Sequence, residues 1–192
     1  MNKKRLAIFA SGAGSNASNI MDYFQGHATV EVACVLSNRA NAPVLEKAKI
    51  RSIDTLFLNN DEAENASILQ KITAKFEIDF VILAGYLRLI PAEFILKFNR
   101  KIINLHPSLL PKYGGKGMFG DNVHRAVLQS GDKESGITIH YVDPAFDEGE
   151  IIDQFKCFLF ENETLESIRS KINLLELTHF PRVIERTILE KL

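Results

Sequence analysis

The chain has 192 residues, of which 46% are hydrophobic and 24% charged, and its formal net charge is −1. These values are typical of a globular protein with a sizeable core, and the near-zero charge gives no electrostatic reason to expect a nucleic acid as the main partner. No apolar run approaches the length of a membrane span. Cys34 and Cys157 lie in apolar runs and predict buried free thiols. We therefore expect a cytoplasmic protein with neither a membrane nor a nucleic acid as partner.

Strands and helices alternate through the first hundred or so residues, joined by short connections. Apolar runs predict four strands, over 4–10, 30–36, 53–58 and 79–84. Intervening segments predict helices over 17–24, 43–49, 60–76 and 91–98. Because alternating strands and helices form parallel sheets with right-handed crossovers, the pattern predicts a parallel α/β architecture. The unbroken apolar run of the fourth strand indicates burial on both of its faces.

The pattern changes after a fifth strand, which contains Asn104 and His106. The elements predicted next are a glycine-rich segment over 113–120, a helix over 122–129, strands over 136–142 and 150–160, and a helix over 164–192 with a break near Pro181. The last two strands have no full helix between them, so we expect them to pair antiparallel. The sequence thus predicts one doubly wound, Rossmann-like domain over 1–192, with a mostly parallel sheet and antiparallel C-terminal strands. We expect a nucleotide-binding half over about 1–100 and a second half over about 101–192.

Asn104 and His106 are two residues apart near the end of the fifth strand. Because successive strand side chains point to opposite faces, these two point the same way. Pro107 keeps His106 extended, since a residue before proline is disfavoured in the α region. An amide and an imidazole are thus aimed together from the carboxyl end of a strand. A capped strand end, with both side chains bonded to loop backbone, is the structural alternative.

The loop Ser11–Ala17 follows the first strand and opens the first helix. Its glycines let the backbone approach an anion, and the helix N-terminus offers N–H groups and a favourable dipole. We expect a phosphate to bind at 14–16, with an ordinary glycine turn as the alternative. The same letters fit a dinucleotide fingerprint, but Ser37–Arg39 stands where NAD binding needs an acid. NADP, with Arg39 near its 2′-phosphate, is a weaker alternative.

Two later segments also suit ligand binding or catalysis. The apolar loop Ala84–Ile90 contains Arg88 and follows a strand end, which suits a flat heterocycle, although such a loop also serves to plug the end of a sheet. Asp143–Glu150 contains four acids. They predict either a solvated turn or a carboxylate that folds back on His106 and favours its protonated form. A metal site is the weakest interpretation of these acids.

The segment Gly114–Gly120 lacks the spacing of a phosphate loop and is more typical of an active-site flap. His124 follows it and is interpreted as a surface histidine at the start of a helix. The other histidines outside the fifth strand show no partner pattern and are interpreted as structural: His27, His140 and His179.

Four motifs occur in order along the chain: Ser11-Gly-x-Gly-Ser-Asn16, Ala84-Gly-Tyr-Leu-Arg88, Asn104-Leu-His-Pro-Ser-Leu-Leu-Pro-Lys-Tyr113 and His140-Tyr-Val-x3-Phe-Asp-x-Gly149. Over essentially its whole length the chain resembles the phosphoribosylglycinamide formyltransferases, the folate-dependent family of purine synthesis. The resemblance implies the formyltransferase fold. It also implies transfer of a formyl group from 10-formyltetrahydrofolate to the amine of glycinamide ribonucleotide, without a metal, by a monomer or a homodimer.

The resemblance also implies roles for individual residues. It places catalysis on Asn104, His106 and Asp147, ribonucleotide binding on Gly14, Ser15, Asn16 and Glu176, and folate binding on Leu87, Arg88, Leu89, Ile90 and Asn104. The N-terminal half then binds the phosphate, and the C-terminal half is the folate and catalytic half. The chain departs from many members in a longer segment after Tyr113 and lacks a basic residue that some members place near Glu62. A methionyl-tRNA or sugar-nucleotide formyltransferase, an NADP-linked oxidoreductase and a non-catalytic folate or nucleotide binder are the alternatives.

Overall fold

The computed structural model of the protein describes residues 2–190. Its strands are Lys4–Phe9 (β1), Val30–Ser37 (β2), Asp54–Phe57 (β3), Phe80–Leu83 (β4), Ile102–His106 (β5), Glu134–Tyr141 (β6) and Ile151–Phe158 (β7). Its helices are Ser15–Tyr23 (α1), Pro43–Ile50 (α2), Asn60–Ala63 (α3), Ala66–Lys75 (α4), Ala92–Lys97 (α5), Asp121–Ser130 (α6) and Leu165–Leu189 (α7). Of these helices, none is both long and apolar enough to cross a membrane.

The strands form a seven-stranded sheet in the order β3-β2-β1-β4-β5-β6-β7. β1 pairs in parallel with β2 and with β4, and β2 pairs in parallel with β3. β6 and β7 pair antiparallel. The prediction of a mostly parallel sheet with antiparallel C-terminal strands is therefore confirmed. The strand order reverses between β1 and β4, so the loops that follow these two strands flank the crevice where open α/β sheets bind ligands.

The chain divides into two compact units, one up to Ile103 and one from Asn104 onward. The core of the first unit is built on β1 and β4, whose apolar side chains from Leu6 to Phe9 and from Phe80 to Leu83 are all buried. Burial on both faces explains their unbroken apolar runs. In the second unit α7 packs against β6 and β7, and β6 is buried from its second residue onward.

One predicted helix is two helices in the structure. The sequence predicted a continuous helix over 60–76, but α3 and α4 are separated around Asn65. The Asn65 side chain accepts the backbone N–H groups of Ser67 and Ile68, at 3.0 and 3.3 Å. This is the geometry of an N-cap, so Asn65 begins a new helix where the prediction continued the old one.

The predicted break at Pro181 is wrong, because α7 runs without interruption from Leu165 to Leu189. Pro181 has no N–H and cannot complete the helical bond to the Leu177 carbonyl, which costs about 3 kcal/mol. Its neighbours Phe180 and Ile184 are fully buried. Burying each such side chain contributes roughly 1.5–3 kcal/mol, so the packing of this face of α7 offsets the lost bond.

The two cysteines differ in burial. Cys34 in β2 is fully buried, and this burial raises the pKa of its thiol to about 12. Cys157 is only half-buried, so the expectation of a buried thiol is wrong there. The reason is that β7 is the last strand of the sheet and is covered less completely than β2.

Asn65→Ala tests the cap that separates α3 from α4. We expect the free energy of unfolding to fall by about 1 kcal/mol, the usual cost of losing an N-cap side chain. Urea unfolding at neutral pH measures the change. Ser67→Ala, a truncation at an exposed position in the same turn, is the control. An equal loss in both variants would show that Asn65 contributes no cap.

Candidate active site

Asn104 and His106 lie at the carboxyl end of β5, in the second unit. Asn104 is half-buried, and His106 is 4% exposed. Asn104 contacts His140 on β6, and His106 faces Asp147 in the loop after β6. Asp147 in turn lies near His140. An amide and an imidazole therefore converge as expected. Asn104 bonds a histidine side chain, whereas His106 bonds the backbone carbonyl of Tyr113, as a capped strand end would.

Both ring nitrogens of His106 have a neighbour. Nε2 lies 2.8 Å from the backbone carbonyl oxygen of Tyr113. Because a carbonyl only accepts hydrogen bonds, Nε2 must carry a proton. Nδ1 lies 3.5 Å from Oδ2 of Asp147. The structure thus brings together the histidine and the acid to which the resemblance assigned catalysis.

The Asp147 carboxylate is fixed by the backbone around it. Asp147 itself has a positive φ of 56°, and its Oδ2 accepts the N–H of Gly115 at 2.9 Å. Gly149 permits a close approach of the chain, since a Cβ there would lie 1.7 Å from the Tyr141 carbonyl oxygen. Asp147 is therefore positioned by the close packing of its own loop at Gly149 and by a hydrogen bond from Gly115 in the glycine-rich segment.

His140 is a member of this cluster that the sequence analysis missed. Its Nε2 lies 3.0 Å from Nδ2 of Asn104 and 3.7 Å from Oδ1 of Asp147. Its Nδ1 lies 2.9 Å from the Tyr141 carbonyl oxygen. Burial lowers the pKa of His140 below its ordinary value of 6.5. The sequence showed no partner pattern for His140, but the structure gives both of its ring nitrogens a polar neighbour.

A signal for His140 was present in the alternation of β6. Residues two apart on a strand share a face, so His140 lies on the side of Thr138. Thr138 accepts the Leu110 N–H at 3.0 Å and donates to the Ser108 carbonyl at 2.6 Å. His140 therefore lies on the face of β6 that contacts the loop after β5.

The cluster has the groups needed for acid–base chemistry at a carbonyl. Asn104 can donate an amide N–H, a cationic His106 can donate from its ring, and Asp147 can accept or return a proton. Donors preorganised around a carbonyl oxygen stabilise the negative charge that develops there during nucleophilic attack. Both histidine rings are almost entirely buried, so these interactions are weakly screened by water.

The glycine loop after β1 belongs to the first unit. Gly14 has a left-handed backbone, with φ 71° and ψ 41°, and is the N-cap of α1. A Cβ at this position would lie 2.3 Å from a methyl group of Val44 on α2. Only glycine fits both the conformation and the packing, and the N-terminus of a helix is a favourable position for an anion.

Side chains around this loop add polarity and charge. Ser15 is exposed and Asn16 is half-buried at the start of α1. Lys47 on α2 donates a hydrogen bond to the Ala13 carbonyl at 2.8 Å. The lysine brings a positive charge to the loop, which sequence analysis missed because α2 is some thirty residues further along the chain.

The apolar loop after β4 is tied to the loop after β1 within the same unit. Oγ of Ser11 accepts the Leu87 N–H at 2.9 Å and donates to Oδ1 of Asn38 at 2.7 Å. The Ser11 N–H in turn donates to the Gly85 carbonyl at 3.0 Å. These bonds fix the backbone at the start of the predicted folate loop.

The side chains of that loop differ in exposure. Leu87 and Leu89 are 48% and 45% exposed, whereas Ile90 is buried. Arg88 forms an ion pair with Glu64. Exposed apolar side chains on a fixed backbone suit a flat heterocycle, so this loop fits the ring system that the resemblance implies. The guanidinium of Arg88 is already engaged by an acid.

Glu176 lies on α7, one helical turn from Ile172 and one from Phe180. Both of these neighbours are buried, and Glu176 itself is half-buried. A carboxylate thus interrupts a row of core-facing residues. The position is unusual for an acid whose only role is solubility.

The remaining candidates are settled by their contacts. His124 is only 6% exposed, so the interpretation as a surface histidine is wrong; it shares the buried side of α6 with Val127. His27 accepts the Val30 N–H, and His179 stacks on Phe155, which supports structural roles. Within residues 2–190 no group of three or more His, Cys, Asp or Glu side chains could hold a metal ion.

Similarity to known proteins shows the family of this chain. A sequence profile of the family described as formyl transferase matches residues 4–184. The chain belongs to the formyl transferase family. It is 38% identical to the chloroplastic phosphoribosylglycinamide formyltransferase of Arabidopsis thaliana, over 88% of this chain and 60% of the relative. It is 33% identical to the phosphoribosylglycinamide formyltransferase of Haemophilus influenzae, over 95% of this chain and 86% of the relative.

The chain spans about 60% of the length of the plant relatives. Solved structures in the family have the same architecture. Glycinamide ribonucleotide transformylase 1 from Symbiobacterium toebii superposes with a TM-score of 0.85 at 33% identity, covering 95% of this chain and 86% of that one. Phosphoribosylglycinamide formyltransferase from Bacillus halodurans gives 0.85 at 33% identity, covering 95% and 94%. The predicted formyltransferase fold and the resemblance to this family are confirmed.

Gly149→Ala tests how tightly the Asp147 loop is packed. The added methyl would lie 1.7 Å from the Tyr141 carbonyl oxygen, which also bonds His140. We expect the free energy of unfolding to fall by about 1–3 kcal/mol, the usual range for overpacking. Gly12→Ala is the control, since nothing lies within 4 Å of a Cβ at that position. Thermal unfolding compares the two, and a wild-type midpoint for Gly149→Ala would refute the close packing.

Proposed function

We propose that this protein transfers the formyl group of 10-formyltetrahydrofolate to the amine of glycinamide ribonucleotide. The products are formylglycinamide ribonucleotide and tetrahydrofolate, in de novo purine (IMP) biosynthesis. One observation carries the proposal: Asn104, His106 and Asp147 belong to one network, with Nδ1 of His106 3.5 Å from Oδ2 of Asp147. Membership of the formyl transferase family and the names of the relatives support it.

His106 can donate to the formyl oxygen only as a cation. Its Nε2 proton is directed at the Tyr113 carbonyl, so Nδ1 of the neutral ring has no proton to give. Nδ1 gains a proton when the ring is charged, and Asp147 supplies the negative charge that faces this atom. His106 then donates through Nδ1 to the oxygen on which charge develops as the amine attacks.

Asn104 supplies the second donor to that oxygen. Its Nδ2 has two hydrogens, so it can bond His140 and still donate to a substrate. Asp147 has a further role in proton transfer. Through a bound water it passes a proton from the attacking amine to the folate nitrogen that leaves. The scheme needs no covalent enzyme intermediate and no metal.

The other predicted residues are assigned to the two ligands. The ribonucleotide phosphate is assigned to Gly14, Ser15 and Asn16, the glycinamide end to Glu176, and the folate to Leu87, Arg88, Leu89, Ile90 and Asn104. The left-handed Gly14 and the nearby Lys47 support an anion at the first site. The exposed Leu87 and Leu89 support apolar contact with the folate ring. A cytoplasmic location and a monomeric or homodimeric state stay predictions.

Substitutions in the cluster should lower turnover. For Asn104→Ala we expect kcat to fall by about 10²–10³, the typical cost of losing one donor to an oxyanion. For His106→Ala and Asp147→Asn we expect larger losses. The first removes a charged donor, and the second removes the negative charge that faces His106 together with the group that passes the proton. Steady-state kinetics measures these changes, with Glu148→Gln, an exposed acid of the same loop, as the control. Near-normal turnover in Asp147→Asn would rule out the proposed pairing.

Ser15→Ala should act on binding instead of chemistry. Ser15 is assigned to the phosphate, which is remote from the reacting amine, so its loss weakens ground and transition state alike. We expect a higher KM for the ribonucleotide with little change in kcat or in KM for the folate. Ser67→Ala, an exposed helical serine elsewhere, serves as the control. An unchanged ribonucleotide KM would remove this loop from substrate binding.

One assay tests the proposal against its rivals. The enzyme is mixed with 10-formyltetrahydrofolate and glycinamide ribonucleotide, and release of tetrahydrofolate is followed. Release that depends on the ribonucleotide supports the proposal. Release only with a methionyl-tRNA or a sugar nucleotide would assign a different formyl acceptor. Oxidation of NADPH without formyl transfer would indicate an oxidoreductase, and binding of either ligand without turnover would indicate a non-catalytic binder.

A further inference from the structure

His140 touches Asn104 through one ring nitrogen and a backbone carbonyl through the other. Nδ1 lies 2.9 Å from the Tyr141 carbonyl oxygen, which can only accept a hydrogen bond. Nδ1 therefore carries a proton. In the neutral ring Nε2 is then a bare acceptor, and it lies 3.0 Å from Nδ2 of Asn104. The pair forms a hydrogen bond in which Asn104 donates and His140 accepts.

This bond decides which way the amide of Asn104 faces. An asparagine amide can rotate by half a turn and exchange its oxygen for its NH2 group. An acceptor at Nε2 of His140 selects the orientation in which Nδ2 is the neighbour. One hydrogen of Nδ2 then binds His140, and the second is left to donate elsewhere.

We propose that His140 is a positioning residue: as a neutral ring protonated on Nδ1, it orients the Asn104 amide so that an N–H, and not the carbonyl oxygen, meets the formyl oxygen. The inference rests on the proposed formyl transfer and extends it to a residue with no assigned role. His140 itself does not touch the reacting atoms. It acts through Asn104, and an amide turned the other way would present a repulsive oxygen to the developing negative charge.

The surroundings of the ring favour its neutral form. His140 is 2% exposed, and burial lowers its pKa below the ordinary value of 6.5. The charged groups that face it are Asp147 and Asp143, which favour the cation, and a cationic His106, which opposes it. The carboxylate of Asp147 lies 3.7 Å from Nε2, beyond a good hydrogen bond. Desolvation is the largest of these effects, so the ring is neutral at pH 7.

His106 and His140 therefore differ in the position of their protons. His106 is protonated on Nε2 by its contact with the Tyr113 carbonyl, and His140 on Nδ1 by its contact with the Tyr141 carbonyl. Each leaves a different nitrogen toward Asp147. A histidine suited to becoming a donor and one suited to remaining an acceptor are thus placed on the same carboxylate.

The first test reads the proton directly in the free wild-type protein. Two-bond 1H–15N spectra of histidine-labelled protein distinguish the two neutral tautomers and the cation, and His140→Gln assigns the signal. We expect the Nδ1–H tautomer for His140 at pH 7, persisting below pH 6.5. An Nε2–H tautomer or a cation at pH 7 would overturn the proposal, because neither can accept from Asn104. This measurement does not depend on any enzyme activity.

The second test asks whether His140 acts through Asn104. His140→Leu removes the acceptor, and we expect kcat to fall roughly tenfold or more, with an upper bound set by the loss of the Asn104 donor, about 10²–10³. His140→Gln, whose side-chain oxygen can take the place of Nε2, should restore most of that loss. In an Asn104→Ala background, His140→Leu should cause no further loss. His27→Asn, which keeps an acceptor for the Val30 N–H, is the control.

The outcomes separate this inference from the proposed function. If the wild type transfers no formyl group, the proposed function fails while the tautomer of His140 can still be read. If the wild type is active but the losses at His140 and Asn104 multiply independently, the proposed function survives and the positioning role is wrong. Equal loss in His140→Leu and His140→Gln would reduce His140 to a packing residue.

Discussion

The Asp147 carboxylate is shared by two buried histidines, and the chemistry of the site depends on this arrangement. Its Oδ2 faces Nδ1 of His106 and its Oδ1 faces Nε2 of His140, at 3.5 and 3.7 Å. Neither distance is that of a strong hydrogen bond. Both contacts are therefore charge interactions over a short distance and not short hydrogen bonds. One negative charge beside two imidazoles allows one of them to become a cation while the other stays neutral.

Backbone carbonyls determine which ring nitrogen of each histidine carries the proton. The Tyr113 carbonyl keeps a proton on Nε2 of His106, and the Tyr141 carbonyl keeps one on Nδ1 of His140. Both acceptors are main-chain atoms, so neither contact depends on the identity of the Tyr113 or Tyr141 side chain. The backbone also fixes the position of the Asp147 loop, because Gly149 packs against the Tyr141 carbonyl with no room for a side chain. The chain path thus sets the proton positions, and the side chains respond to them.

The sequence predicted those features that depend on local periodicity and on recognised motifs. Strand alternation placed Asn104 and His106 on one face, and the apolar runs located β1 and β4. Asp147 came from the resemblance, because four acids in one loop could not be told apart by spacing. His140 was missed because its bond to Asn104 joins residues 36 positions apart, and the alternation of β6 indicates the face of His140 but not its partner. The predicted helix break at Pro181 was wrong for a related reason, because the tertiary packing of α7 outweighs the local helix-breaking preference of proline.

The central claim is that Asn104 and His106 hold the oxygen of the formyl group. A crystal structure with glycinamide ribonucleotide and a stable 10-formyl folate analogue tests it most directly. The account predicts the formyl oxygen at about 3 Å from both Nδ2 of Asn104 and Nδ1 of His106, which is hydrogen-bond distance. A formyl group that binds away from both atoms, with the analogue otherwise well ordered, would contradict it.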